Sequence, residues 1–117
     1  MRQLASVLMA IALPYIVRAD VPGDMQPVST EFTTRVRPIL DSHCIECHST
    51  EKKEGELDLQ RFTTLNEVRQ DPAIWLKVVE MIDNGEMPPK DSKPLAVDDK
   101  KDLLGWIDRY LHAEAKA

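Results

Sequence analysis

Cys44-Ile45-Glu46-Cys47-His48 is the feature that most constrains this chain. Its two cysteines stand three apart, and a histidine follows the second at once. On a helical turn, positions i, i+3 and i+4 share one face. Two thiols on such a face can reach the two vinyl groups of a porphyrin, and the adjacent imidazole points at the iron from the same side. C-x-x-C-H is accordingly the attachment motif of a c-type haem. Two other readings compete. A secreted C-x-x-C can be a disulfide or a thiol-redox pair, but the redox version wants a βαβ neighbourhood that the sequence lacks. A zinc site built from His43, Cys44, Cys47 and His48 normally needs a second ligand pair elsewhere, and none is present.

An export signal supports the haem reading, because c-type haem is attached outside the cytoplasm. Residues 1–19 (MRQLASVLMAIALPYIVRA) place a short positive start at Arg2 before an apolar run from Leu4 to Val17. Val17 and Ala19 are small enough for the −3 and −1 positions of a signal-peptidase site. Pro14 breaks a run already too short to span a bilayer comfortably. An uncleaved anchor is the alternative. The expected location is periplasmic or secreted, with no stable membrane span after cleavage. The 117 residues allow one domain at most, and 15 Lys+Arg against 20 Asp+Glu exclude a basic protein built around nucleic-acid phosphates. Loss of Arg2 and Arg18 with the signal makes the formal charge of −5 two units more negative.

Beyond the signal, residues 20–29 contain the turn formers of DVPGDMQP and read as a flexible tail, with Ser29 or Thr30 starting a helix. Phe32, Val36, Ile39 and Leu40 fall at helical spacing, and Pro38 should kink that segment. Leu57 and Leu59 point the same way in an extended stretch. A clearer helix starts at Asp71-Pro72, carries Ile74, Trp75, Val78, Val79 and Ile82 in one stripe, and stops at Asn84-Gly85. The last helix runs from about Val97 to His112, with Asp98 and Asp99 at its positive end. Residues 30–113 form the expected domain and 114–117 a C-terminal tail. No repeat, hairpin or βαβ unit is visible, so the expected fold is all-α: three to four helices wrapped around one covalently attached haem.

A sixth ligand for the iron must come from farther along. Met25 sits in the expected tail, and Met81 lies inside a helix, where a core role is the stronger reading. Met87 follows a helix stop and precedes Pro88-Pro89, which restrict its backbone and lower the ordering cost of a weak thioether ligand. Met87 is therefore the chosen distal ligand. His43 adjoins the first cysteine and cannot easily cross the haem plane; His112 should be solvated. Leu57, Leu59, Ile74, Leu76, Val78, Val79, Leu103, Leu104 and Ile107 are read as walls of the porphyrin or helix joints. Trp75 and Trp106 could donate to a haem propionate, with plain core packing preferred for each.

Together these phrases resemble a class I cytochrome c. More narrowly, Val36-Arg37-Pro38-Ile39-Leu40, Gly55-Glu56-Leu57-Asp58-Leu59 and the stretch from Trp75 through Met87-Pro88-Pro89 are similar to the planctomycete-type cytochrome c domain, over about residues 32–112. The resemblance implies a compact helical fold, covalent attachment at Cys44 and Cys47, His48 as proximal ligand and Met87 as distal ligand. Such domains usually begin large secreted proteins, so the chain is expected to be either a free carrier or a fragment acting as a relay. The family's Ser or Thr cap on the last helix is replaced by Ala96. The expected function is non-enzymatic one-electron transfer through a His/Met-ligated haem to a redox partner protein that presents a basic patch. The alternative is a haem enzyme or gas sensor from which Met87 dissociates.

Overall fold

The computed structural model describes residue 3, residues 5–14 and residues 21–117. The proposed cleavage site at Val17 and Ala19 lies outside the described residues. The order is a 3₁₀ turn (Gly23–Met25), α1 (Gln26–Glu31), a π turn (Phe32–Val36), α2 (Arg37–His43), a 3₁₀ turn (Glu54–Glu56), α3 (Leu65–Val68), α4 (Pro72–Asp83) and α5 (Val97–Lys116). No strand occurs among the described residues. The all-α expectation holds, and α1 through α2 form one helical run.

That run begins earlier than the sequence suggested. Helical structure starts at Gly23, Met25 is fully buried and Val28 nearly so, so the expected helix start at Ser29 or Thr30 is corrected. Pro27 sits in the first turn of α1, where its missing N–H leaves no intrahelical bond unmade. The anchor is distant in sequence: the Trp106 indole N–H donates to the Val28 carbonyl at 2.9 Å. Pro38 does not break the run. Pro38 cannot donate to the carbonyl of Thr34, and the preceding turn opens instead, with Arg37 N–H donating to Phe32 five residues back.

The helical run, α4 and α5 meet around an aromatic cluster. Trp106 stacks on Tyr110 with centroids 5.4 Å apart, and Trp75 meets Trp106 edge-on at 5.6 Å. Phe32 lies 5.1 Å from Trp106 and Phe62 lies 5.2 Å from Trp75. Leu103 and Ile107 bury into the same joint, while Leu76, expected as a wall, is 60% exposed. Polar ties close the outside: Arg35 donates to Asp99 and Asp102, Arg69 to Glu114, and Arg109 to Glu31. Exposed pairs of this kind fix register more than they add stability. α5 continues to Lys116, so the expected C-terminal tail is helical almost to its end.

Candidate functional site

The cysteine motif extends α2. Cys44 N–H and Ile45 N–H donate to Leu40, and His48 N–H donates to Cys44 at 3.0 Å. This turn places Cys44, Cys47 and His48 along one cleft of about 320 Å³, within the size range of small-molecule sites. Leu57 and Leu59 line it from the following loop, Ile74, Val78, Met81 and Ile82 from α4, and Met87, Pro88, Pro89 and Leu95 from the loop before α5. The expected walls Leu57, Leu59, Ile74 and Val78 are therefore in place.

His48 is buried and its orientation is fixed. Its Nδ1 lies 2.8 Å from the Glu54 carbonyl, which can only accept, so Nδ1 carries a proton and Nε2 is the nitrogen that a neutral ring leaves for a ligand bond. A metal-ligating histidine is normally held in this way. Leu59 N–H donates to the His48 carbonyl at 2.8 Å and Glu54 N–H to the Cys47 carbonyl at 3.0 Å. The Glu54 carbonyl is presented by a loop in which Lys53 (φ +42°), Gly55 (φ +64°) and Glu56 (φ +60°) all take the left-handed region. For Lys53 and Glu56 that conformation costs on the order of 1 kcal/mol each.

Neither cysteine forms a disulfide. Burial pushes the Cys44 thiol up to about 11. The neighbouring Glu54 carboxylate, with some desolvation, raises that of Cys47. Both therefore stay as S–H near neutral pH, unlike the thiolates of reactive redox pairs. No group of three or more His, Cys, Asp or Glu placed to hold a metal ion occurs among the described residues.

Residues 44–91 match the family described as Planctomycete cytochrome C. Over that stretch the chain is similar to a planctomycete-type cytochrome c domain. No curated protein and no solved structure matches. The domain implies covalently bound haem c, and the cleft fits that group: two unbridged thiols three residues apart, an imidazole with a free Nε2, apolar walls and a methionine share one space.

Of the sequence candidates, Cys44, Cys47, His48 and Met87 are brought together. Met87 N–H donates to the Met81 carbonyl at 3.0 Å, which ties its loop back to α4; the Met87–Pro88 peptide is cis. Met81 lines the cleft too, so a purely core role for it is not what the structure shows. Met25 is buried in the hydrophobic core. His112 is exposed, with Nδ1 2.8 Å from the Asp108 carbonyl. Trp106 is a core residue bonded to Val28. Trp75 is fully buried with an unpartnered indole N–H and does not line the cleft.

Sequence reasoning missed Arg37. Its guanidinium donates to the carbonyls of Leu59, Gln60 and Phe62 at 3.3, 3.1 and 2.6 Å and pairs with Asp41 at 3.2 Å. Arg37 thereby holds the loop whose Leu59 N–H holds His48. A contact spanning more than twenty residues leaves no local signal. His43, set aside as a ligand, also lines the cleft.

Proposed function

We propose that the domain is a monohaem electron carrier working outside the cytoplasm, with His48 and Met87 as the two axial ligands. The observation that carries this reading is that one cleft gathers both attachment thiols, the Nε2 lone pair of His48 and the Met87 side chain. The haem supplies a one-electron iron couple when bound. Cys44 and Cys47 would hold it through thioether bonds, each S–H adding across a vinyl group with no oxidant consumed. His48 is pre-oriented by Glu54, and Met87 is held on a short loop by Met81 and the prolines. A soft thioether favours the reduced iron over a second imidazole. Leu57, Leu59, Ile74 and Val78 exclude water from the site. With His48 and Met87 both holding the iron, no position would be left open for a substrate.

Glu46, Glu54 and Glu56 stand at the cleft on an acidic chain. A partner with a basic patch matches that charge, steered over distances set by ionic strength. The apolar stretch at residues 5–14 falls within the segment read as an export signal, and that reading supports the extracytoplasmic location.

Met87→Ala tests the ligand assignment, with Met81→Ala as its control. The reduced wild-type protein should bind carbon monoxide slowly or not at all. Met87→Ala should bind it rapidly and change its visible spectrum, and Met81→Ala should resemble wild type. Unchanged spectra in Met87→Ala would remove Met87 from the iron. Rapid, tight binding by wild type would favour the haem enzyme or gas sensor with a displaceable methionine.

A further inference from the structure

A second concavity, of about 290 Å³, shares Met87, Pro88 and Pro89 with the haem cleft. The exposed lysines Lys90 and Lys100 and the exposed Ser92 stand at it, and no carboxylate lines it. Glu86 and Asp91 belong to the same loop but are not among its walls. Ser92 N–H donates to the Pro89 carbonyl at 2.9 Å, so Lys90 sits in a closed turn. The cations of this acidic chain fall into two groups. Arg35, Arg37, Arg61, Arg69 and Arg109 each pair with a carboxylate. Lys77, held by Glu80, is the one lysine so paired among the described residues. Lys90 and Lys100 are therefore uncommitted, as is Lys93, which lines the adjoining haem cleft. An ammonium on a long flexible stem, not tied to its own chain, suits the attraction and exchange of an anionic partner. The space lies at the lower limit for small-molecule sites, so it admits a side chain or two of another protein rather than a second cofactor.

Resting on the haem-carrier reading, we propose that this concavity is a second docking face, for a redox protein that presents an acidic patch around an apolar residue. A carrier meets a donor and an acceptor. Glu46, Glu54 and Glu56 line the haem cleft and none of them lines the concavity, so the two faces offer opposite charge to two different partners. At the second face, an apolar side chain of the partner seats against Pro88, Pro89 and Leu95, and its carboxylates meet Lys90, Lys93 and Lys100. An apolar centre inside a charged rim is the usual build of an interface, and electron-transfer encounters need little area. A protein seated there stands one loop away from the haem cleft, because Met87, Pro88 and Pro89 wall both spaces. One electron passes between the partner's one-electron centre and the haem iron; no bond forms or breaks and no proton moves.

The test is reduction of the oxidised, haem-loaded protein by a reduced plant-type ferredoxin, an acidic one-electron donor of low potential, followed by stopped-flow absorbance over a range of ionic strength. Both proteins are acidic. Repulsion between their net charges alone makes the rate rise with salt, whereas docking on the lysines makes it fall. The wild-type rate should fall. Lys90→Gln combined with Lys100→Gln should slow the low-salt reaction on the order of tenfold and abolish the fall. Lys52→Gln combined with Lys116→Gln removes the same charge from exposed lysines that line neither space, and should leave the fall in place. Inorganic phosphate at matched ionic strength should not inhibit. In magnetic resonance of the wild-type protein, the amide signals of Lys90, Ser92 and Lys100 should shift or broaden as oxidised ferredoxin is added. A rate that is flat or rises with salt, equal effects in the two double variants, or signal changes confined to residues 46–56 would overturn the proposal. So would specific inhibition by phosphate, which would make the concavity a small-anion site. A purified protein without a haem spectrum fails before any kinetics, which separates failure of the carrier reading from failure of this one.

Discussion

Trp75 and Trp106 are both fully buried in one aromatic cluster, yet replacing each by Phe should have different consequences. The difference lies in the indole N–H. Trp106 donates to the Val28 carbonyl at 2.9 Å, whereas Trp75 Nε1 has no partner. Each Trp→Phe change removes about 40 Å³, worth ~1 kcal/mol at the usual cavity coefficient. For Trp106 the lost hydrogen bond adds ~1 kcal/mol, moderated because the Val28 carbonyl also accepts from Phe32 N–H. For Trp75 the change removes an unsatisfied buried donor, which returns ~1 kcal/mol and nearly cancels the void. Trp106→Phe should therefore cost ~2 kcal/mol and Trp75→Phe less than about 0.5 kcal/mol. In a domain whose stability is typically about 5–15 kcal/mol, the gap is readily measured. The assay is guanidinium unfolding of the haem-loaded protein at constant slope. Equal costs, or a larger cost for Trp75, would refute the reasoning.

Arg37→Ala should destabilise the protein by about 3 kcal/mol, since one partly buried guanidinium serves three carbonyls, and Arg37→Lys should recover only part of that in the same assay. Tyr110 is fully buried, and its desolvation raises its pKa above the ordinary 10. Folding thus gains from its retained proton at all pH values below about 10, and that gain is lost as pH rises beyond. Phenolate absorbance should therefore appear only with alkaline unfolding, and Tyr110→Phe should flatten the loss of stability above pH 10. Transfer to a basic redox partner should slow as ionic strength rises, followed by stopped-flow absorbance; a flat or rising rate would dismiss electrostatic docking.

The parts of the site that lie within one turn were legible in the sequence. Cys44, Cys47 and His48 are neighbours, and the stop at Asn84-Gly85 announces the loop of Met87; Gly85 takes φ +79°, as a helix end of this kind requires. The parts that depend on distant contacts were not. DVPGDMQP carries every mark of a tail, but burial of Met25 and Val28 against α5 and the Trp106 bond outweigh local turn preference. α3 has only four residues, too few for a periodicity, and its signal lay in the pair Thr64 and Glu67, which cap each other reciprocally. His43 was set aside because it adjoins Cys44, and its approach to Asp99, 56 positions away, leaves no local signal.

Covalent capture of one haem by Cys44 and Cys47 underlies every step of this account. Intact mass measurement of the exported polypeptide, followed by digestion and sequencing of the fragment containing residues 44–48, tests it most directly. The predicted result is one added haem, located on that fragment through both cysteines. A polypeptide of unmodified mass, or two cysteines joined only to each other, would contradict it.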